Sequence, residues 1–146
     1  GSLEKKVILL VKSLGLGDKV AFHGTASTNE LPDVYRSADL YMSASHSDGS
    51  SVSLMEALAC GLPVLVSDIP GNREWVFDGQ QGWLFKDGDV QDCTKKMQLA
   101  VSKMKDFENM AKSNRKLAED RADWKKNFPV LLEAYDLAAG KAGSHA

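Results

Sequence analysis

An α/β fold with a parallel sheet and helices on both faces is what this chain predicts. Three observations carry that expectation. The strand-like runs are short and apolar without alternation, as in Leu62 to Ser67, which suits strands covered on both sides. They take turns with segments of helical periodicity, the order expected for strand–helix–strand units. Glycine, proline and serine stand at the changeovers, as at Gly24, Gly61-Leu62-Pro63 and Pro70-Gly71.

The elements follow in order. Leu3 to Leu16 reads as a helix stopped by Gly15 and Gly17, its apolar run pressed between layers, although Val7-Ile8-Leu9-Leu10-Val11 alone equally suits a buried strand. Val20 to Gly24 is a short strand ended by a glycine. Asn29 to Ser37 is a helix, with Leu31, Val34, Tyr35 and Ala38 at helical spacing. Asp39 to Ala44 is the next strand and Ser45 to Ser50 a loop. Ser51 to Cys60 is a helix with a serine start, Gly61 as its stop and Pro63 just beyond. After the strand Leu62 to Ser67, Pro70-Gly71-Asn72 turns into a short helical piece, Arg73 to Asp78. Gly82 to Phe85 is the last strand. A helix from Asp89 to Ala122, breaking near Lys105, and a helix from Asp123 to Ala139 complete the chain. Asp123 caps the latter, and Trp124, Phe128, Leu131, Leu132 and Tyr135 form its apolar stripe.

Composition narrows the function classes. With 146 residues and 43% hydrophobic content, the chain suits one domain with a real core. Its domain is expected over residues 3–139, with Gly1-Ser2 reading as a cloning remnant and 140–146 as a frayed tail. A net charge of −2 gives no footprint for nucleic acid. The mixed charges of the helical stretch from Lys95 to Asp120 read as a solvated face. Cys60 and Cys93 lack metal spacing and are too few for a disulfide scaffold, and Cys60 reads as a small buried side chain. No apolar run approaches the roughly 18 residues that span a bilayer, and a cytoplasmic location is expected. Trp75, Trp83 and Trp124 are expected to pack the core or the helix–sheet boundary.

The stretch Asp48-Gly49-Ser50-Ser51-Val52-Ser53-Leu54-Met55-Glu56 carries the chemistry. In an open α/β sheet, ligands bind beyond the carboxyl ends of the strands, which is where the loop Ser45 to Ser50 falls. The following helix points its free N–H groups and partial positive charge at that crevice, suiting a diphosphate. Small residues at 49, 50, 51 and 53 let an anion approach the backbone. Glu56, over a turn inside the helix, can accept hydrogen bonds from adjacent ribose hydroxyls, and Asp48 would face a sugar on the far side of the phosphates. The same residues also have a plainer reading, since acids favour helix starts and Asp-Gly is an ordinary turn pair. His46, Asn72 and Arg73 reach the same rim as possible acceptor or phosphate contacts, with a surface salt bridge as the plainer reading of Arg73.

The residues from Ala38 to Val76 resemble glycosyltransferase family 4. The resemblance lies in Ser43-Ala44-Ser45-His46-Ser47-Asp48-Gly49-Ser50, Leu54-Met55-Glu56-Ala57-Leu58-Ala59-Cys60-Gly61-Leu62-Pro63-Val64 and Pro70-Gly71-Asn72-Arg73-Glu74. It extends more loosely to Gly15 to Gly24 and Gly82 to Phe85. These are retaining enzymes of the GT-B fold, and the similarity is to their Rossmann-like, C-terminal, donor-binding domain. It implies that Glu56 bonds the nucleotide ribose and that Asp48 is the catalytic-site acid at the donor sugar. It further implies that the N–H groups near Val52, Ser53 and Leu54 hold the diphosphate, while Thr25 and Ala26 lie near the nucleobase. The donor implied is a UDP- or GDP-sugar, passing a hexose to an acceptor hydroxyl, with no metal and no further cofactor.

The chain also departs from that pattern. The usual first glutamate is Asp48 here, one methylene shorter, and Ser50 and Ser51 replace aromatic or proline residues. Nothing matches the two strand–helix units that open the domain in relatives, whose first loop carries an Arg/Lys pair, or their N-terminal acceptor-binding domain. Their absence predicts either self-association through open sheet edges or a compact remnant with the Val20 strand beside the Asp39 strand. The isolated chain is expected to be inactive and at best a weak nucleotide binder. The alternative is a non-catalytic α/β fragment that folds and self-associates without ligand. A flavodoxin-like response domain fits less well, because a phospho-acceptor aspartate at a first strand is missing.

Overall fold

The computed structural model describes residues 3–140, which form two compact units divided after Leu31. The expectations for Gly1-Ser2 and for 141–146 lie outside the described residues.

The first unit holds one helix, α1 (Glu4–Ser13), closed by Leu14 and a turn at Gly15. No α1 residue is buried, and Leu9 is 66% exposed, so the expected sandwiching between layers is not what forms. Nor is the strand expected over Val20 to Gly24 present: these residues are irregular, and both Val20 and Phe22 are exposed. An apolar pentapeptide makes a strand only where a neighbouring strand pairs with its backbone; among the described residues none does, and the Val20 N–H instead closes a local turn on Leu16 O at 3.1 Å. Ser27 and Glu30 then form a reciprocal cap. The Glu30 carboxylate accepts from the Ser27 N–H at 2.9 Å and from its hydroxyl at 2.6 Å, which holds that carboxyl below its usual range.

The next helix is α2 (Leu31–Arg36), two residues later than the spacing predicts. The second unit is then built on three parallel strands in the order β1 (Tyr41–Ser43), β2 (Val64–Ser67), β3 (Gly82–Phe85). Between them run α3 (Val52–Ala59) and the short α4 (Pro70–Arg73). After β3 come α5 (Val90–Ser102), a single 3-10 turn at Met104–Asp106, α6 (Phe107–Arg121) and α7 (Trp124–Ala138). The turn around Lys105 is the predicted break in the long helix. The short helical piece begins at Pro70, not Arg73, because proline presets the first helical position and ends no turn there.

Alternation along the strands sorts side chains to two faces. Val64 and Val66 join Leu54, Leu58, Val76 and Ala118 under α3 and α6. Leu65, Trp83 and Phe85 face the other way, against Ala100 of α5 and Phe107 of α6. Each fully buried aliphatic side chain contributes about 1.5–3 kcal/mol relative to exposure, so β2, buried at all four positions, anchors the sheet. Asn114 of α6 is wholly buried and ties the entries of two strands together. Its amide donates to Leu62 O at 2.8 Å and to Gln81 O at 2.9 Å.

Three expectations fail in this unit. Cys60 is half-exposed, because α3 ends there and Gly61 turns the chain away at φ +81°. Trp124 is 63% exposed, and the stripe of Phe128, Leu131, Leu132 and Tyr135 is likewise uncovered, although Asp123 caps α7 as predicted. Trp75 and Trp83 are buried as expected. An amphipathic helix needs a facing surface as well as a pattern, and no described residue supplies one to α7. Among the described residues, no helix is long and apolar enough to cross a membrane.

Candidate active site

The loop after β1 lies at the carboxyl ends of the parallel strands and is held from below by β2. Ser67, fully buried at the end of β2, donates its hydroxyl to Ser45 O, while Ser43 and Ser45 hydroxyls lie 3.2 Å apart. Asn72 of α4 is 2% exposed, and its amide donates to Ser67 O at 2.8 Å. Gly71 completes the support. A Cβ on it would lie 1.8 Å from Gly49 O and 2.6 Å from Asp48 O, so the Asp48–Gly49 peptide rests directly on the α4 backbone. Asn72 thus braces the end of β2 on which the loop sits.

Ser51 caps α3, its hydroxyl accepting from Leu54 N–H at 3.4 Å and lying 3.1 Å from the Ser53 hydroxyl. The Leu54 N–H therefore points at the Ser51 hydroxyl in this structure. The N–H groups of Gly49, Ser50, Ser51, Val52 and Ser53 have no hydrogen-bond partner among the described residues. Most of these residues are exposed, so water reaches their N–H groups, and an anion placed there would also meet the positive end of the helix dipole. Val52 is 63% exposed, which leaves the approach to it open. Asp48 is exposed beside the run, and its carboxylate makes no bond among the described residues.

Glu56 is half-buried, and its Oε2 accepts the Tyr35 hydroxyl at 3.1 Å. Burial first, and then the neighbouring carboxylate, push the Tyr35 phenol up to about 12. Tyr41 of β1 reaches the same helix face, its hydroxyl 2.8 Å from Ser53 Oγ, and the two tyrosine rings meet at 6.3 Å and 52°. Neither tyrosine stands out in the sequence as a site residue: each fits its element's apolar pattern, and its partner is 21 or 12 residues away. The phenol oxygens were the only available signal, since a buried tyrosine hydroxyl usually finds a partner.

The remaining rim residues are occupied. His46 Nδ1 lies 2.7 Å from Asp87 Oδ1 on the loop after β3. Arg73 grips Asp68 with Nε and Nη2 at 2.5 and 3.0 Å, which holds the Asp68 carboxyl below its usual range. That is the surface salt bridge. A hollow of about 370 Å³ opens on the other face of the sheet, between Ala44, Phe85, Val90, Cys93 and Met97 with His46 at its lip. Neither Asp48 nor Glu56 lines it. Thr25 and Ala26 belong to the first unit, in an irregular stretch without side-chain bonds. Among the described residues, no three His, Cys, Asp or Glu side chains gather as a metal site would require.

Comparison with known proteins follows the same lines. Residues 1–117 match the family model described as glycosyl transferases group 1. The chain belongs to that family. It is 32% identical over 132 residues to D-inositol 3-phosphate glycosyltransferase of Gordonia bronchialis, covering 90% of this chain and 29% of the relative. It is 35% identical to mannosylfructose-phosphate synthase of Agrobacterium fabrum over 68% of this chain and 20% of the relative. The chain thus spans less than a third of the curated relatives it matches. Its fold is that of sucrose-phosphate synthase from Thermosynechococcus elongatus, with a TM-score of 0.89 at 22% identity over 97% of this chain and 36% of that one. It is equally that of Anabaena HepE, solved in complex with UDP, with a TM-score of 0.83 at 22% identity over 90% and 36% of the two chains. This group 1 glycosyltransferase chain therefore has the GT-B type of Rossmann-like fold, a parallel sheet flanked by helices.

Proposed function

We infer that this chain is the donor-binding part of a retaining, family 4 glycosyltransferase that moves a hexose from a UDP- or GDP-sugar to an acceptor hydroxyl. The observation that carries the reading is the run of unpartnered N–H groups from Gly49 to Ser53 at the mouth of α3, flanked by Asp48 and Glu56. In sugar transfer, negative charge grows on the departing diphosphate. Preorganised N–H donors stabilise that charge more as the bond breaks than before, which is how they accelerate the step. Glu56 holds the ribose, and Asp48 orients the sugar at the reacting carbon. Both acids accept hydrogen bonds; neither is asked to exchange protons. The reading calls on no metal ion and no further cofactor.

Family membership and the UDP-bound structural neighbour support a nucleotide-sugar donor. The acceptor is assigned to a further domain of a longer protein, and the isolated chain is expected to bind nucleotide weakly and turn over nothing. A cytoplasmic site of action accompanies this reading. The test is a titration of UDP and GDP followed through the amide signals of Gly49 to Glu56. Saturable shifts confined to that stretch, lost in Glu56→Ala, are expected. Absence of such shifts at millimolar ligand would leave the other reading, an α/β fragment that binds nothing and associates with itself. The outer edge of β1 and the uncovered α7 stripe favour association, which sedimentation measures independently of ligand.

A further inference from the structure

We propose that Tyr35 is a positioning residue for nucleotide recognition: its phenol pins one oxygen of Glu56, so that the remaining acceptor sites meet the ribose diol. The inference rests on the reading of Glu56 as the ribose acceptor and extends it to a residue on a different element. A glutamate on an exposed helix face samples several rotamers, and ordering it at the moment of binding costs free energy. Here the ordering is done in advance. Tyr35 reaches across from α2 and donates to Oε2 at 3.1 Å. Its ring is itself held, packed with Tyr41 against the core cluster beneath α3.

The lone-pair count allows both tasks. A carboxylate offers about four acceptor sites, and Tyr35 takes one. Oε1 and the rest of Oε2 stay available for two adjacent hydroxyls. The phenol is also a dependable donor, since a proton held to about pH 12 is present throughout the working range. Tyr41 plays a parallel part at the serine turn, with its hydroxyl on Ser53. Aromatic side chains from α2 and β1 therefore set the two polar positions of α3 before ligand arrives.

The experiment uses the chain as it stands, with UDP and 2′-deoxy-UDP as paired probes, GDP and 2′-deoxy-GDP as a second pair, and the variants Tyr35→Phe, Glu56→Ala and their combination. Tyr35→Phe should weaken ribonucleotide binding about two- to tenfold, the range expected from freeing one side chain. It should leave the deoxy analogue unchanged and have no further effect when Glu56 is already alanine. If Glu56→Ala erases the ribose preference but Tyr35→Phe keeps it, or weakens both probes alike, the positioning role is overturned. If Glu56→Ala itself leaves the preference unchanged, or neither probe binds, the ribose reading beneath it fails instead. A ligand-free control separates contact from function. Glu56→Gln should lower the Tyr35 phenol titration, read by ultraviolet absorbance against Tyr35→Phe, by part of its rise only, because burial is the larger cause and remains. An unchanged titration curve means that the contact does not form in solution and overturns the inference.

Discussion

Replacing Gly71 by alanine tests how the loop bearing Asp48 is held, because the change adds one methyl group and removes no polar atom. The built Cβ would lie 1.8 Å from Gly49 O, and reaching an ordinary 3.4 Å contact requires a shift of about 1.6 Å. Neither side of the contact yields freely. The α4 backbone is anchored by the Asn72 amide on Ser67 O at 2.8 Å, and its neighbours Ile69 and Asn72 are buried. The loop is anchored by Ser67 on Ser45 O and by the exposed His46–Asp87 contact, neither of which holds Asp48 or Gly49 itself, so it moves first. Overpacking of this kind costs about 1–3 kcal/mol. A displacement of that size also spoils a binding geometry, since an error near 1 Å costs on the order of a hundredfold where alignment matters. Urea denaturation measures the first effect, and amide shifts with a nucleotide titration measure the second. Gly71→Ala should lower stability, shift the amides of Asp48 to Ser53 and weaken nucleotide binding by about tenfold or more, roughly 1.4 kcal/mol. Stability within about 0.5 kcal/mol of the parent, together with unmoved loop amides, would refute the reasoning.

Two further outcomes follow from the buried polar groups. Asn114→Ala removes two buried hydrogen bonds and leaves Leu62 O without its donor, whereas Gln81 O keeps Val64 N at 3.2 Å. Destabilisation of about 2–4 kcal/mol with an unchanged denaturant slope is expected, and a loss under about 1 kcal/mol would show that the tie is dispensable. The raised Tyr35 phenol makes an alkaline prediction. Its contribution to stability is fully present below its unfolded value near 10.0 and is lost as pH rises towards about 12, because the unfolded chain ionises first. Melting temperatures of the parent and Tyr35→Phe should therefore converge over that interval, and a constant difference would contradict the shift.

How far the pattern of residues reached depends on the range of the forces involved. The cap at Ser51, the stop at Gly61 and the break near Lys105 are local matters, settled within a turn by hydroxyls, backbone freedom and spacing. These were readable in advance. So was the start of α3, because the first N–H groups of any helix lack partners within it. The failures are of another kind. Val20 to Gly24 has strand composition, yet a strand exists only through a partner's backbone, and composition says nothing of partners. The α7 stripe has the period of a buried face but meets no facing surface. Asn72 and Arg73 each bond a partner five residues back in the chain, Ser67 and Asp68 respectively, a pairing that no periodicity marks.

Local order along the chain, then, set the alternation of elements, the helix ends and the candidate anion cradle. Folding alone decided which carboxylate was braced and which stayed open. Tyr35 meets Glu56 across 21 residues, and Gly71 meets Gly49 across a sheet edge. Such pairings depend on how strands stack and helices cross. They arise from close packing in three dimensions, for which neighbouring residues in the chain carry no periodic mark.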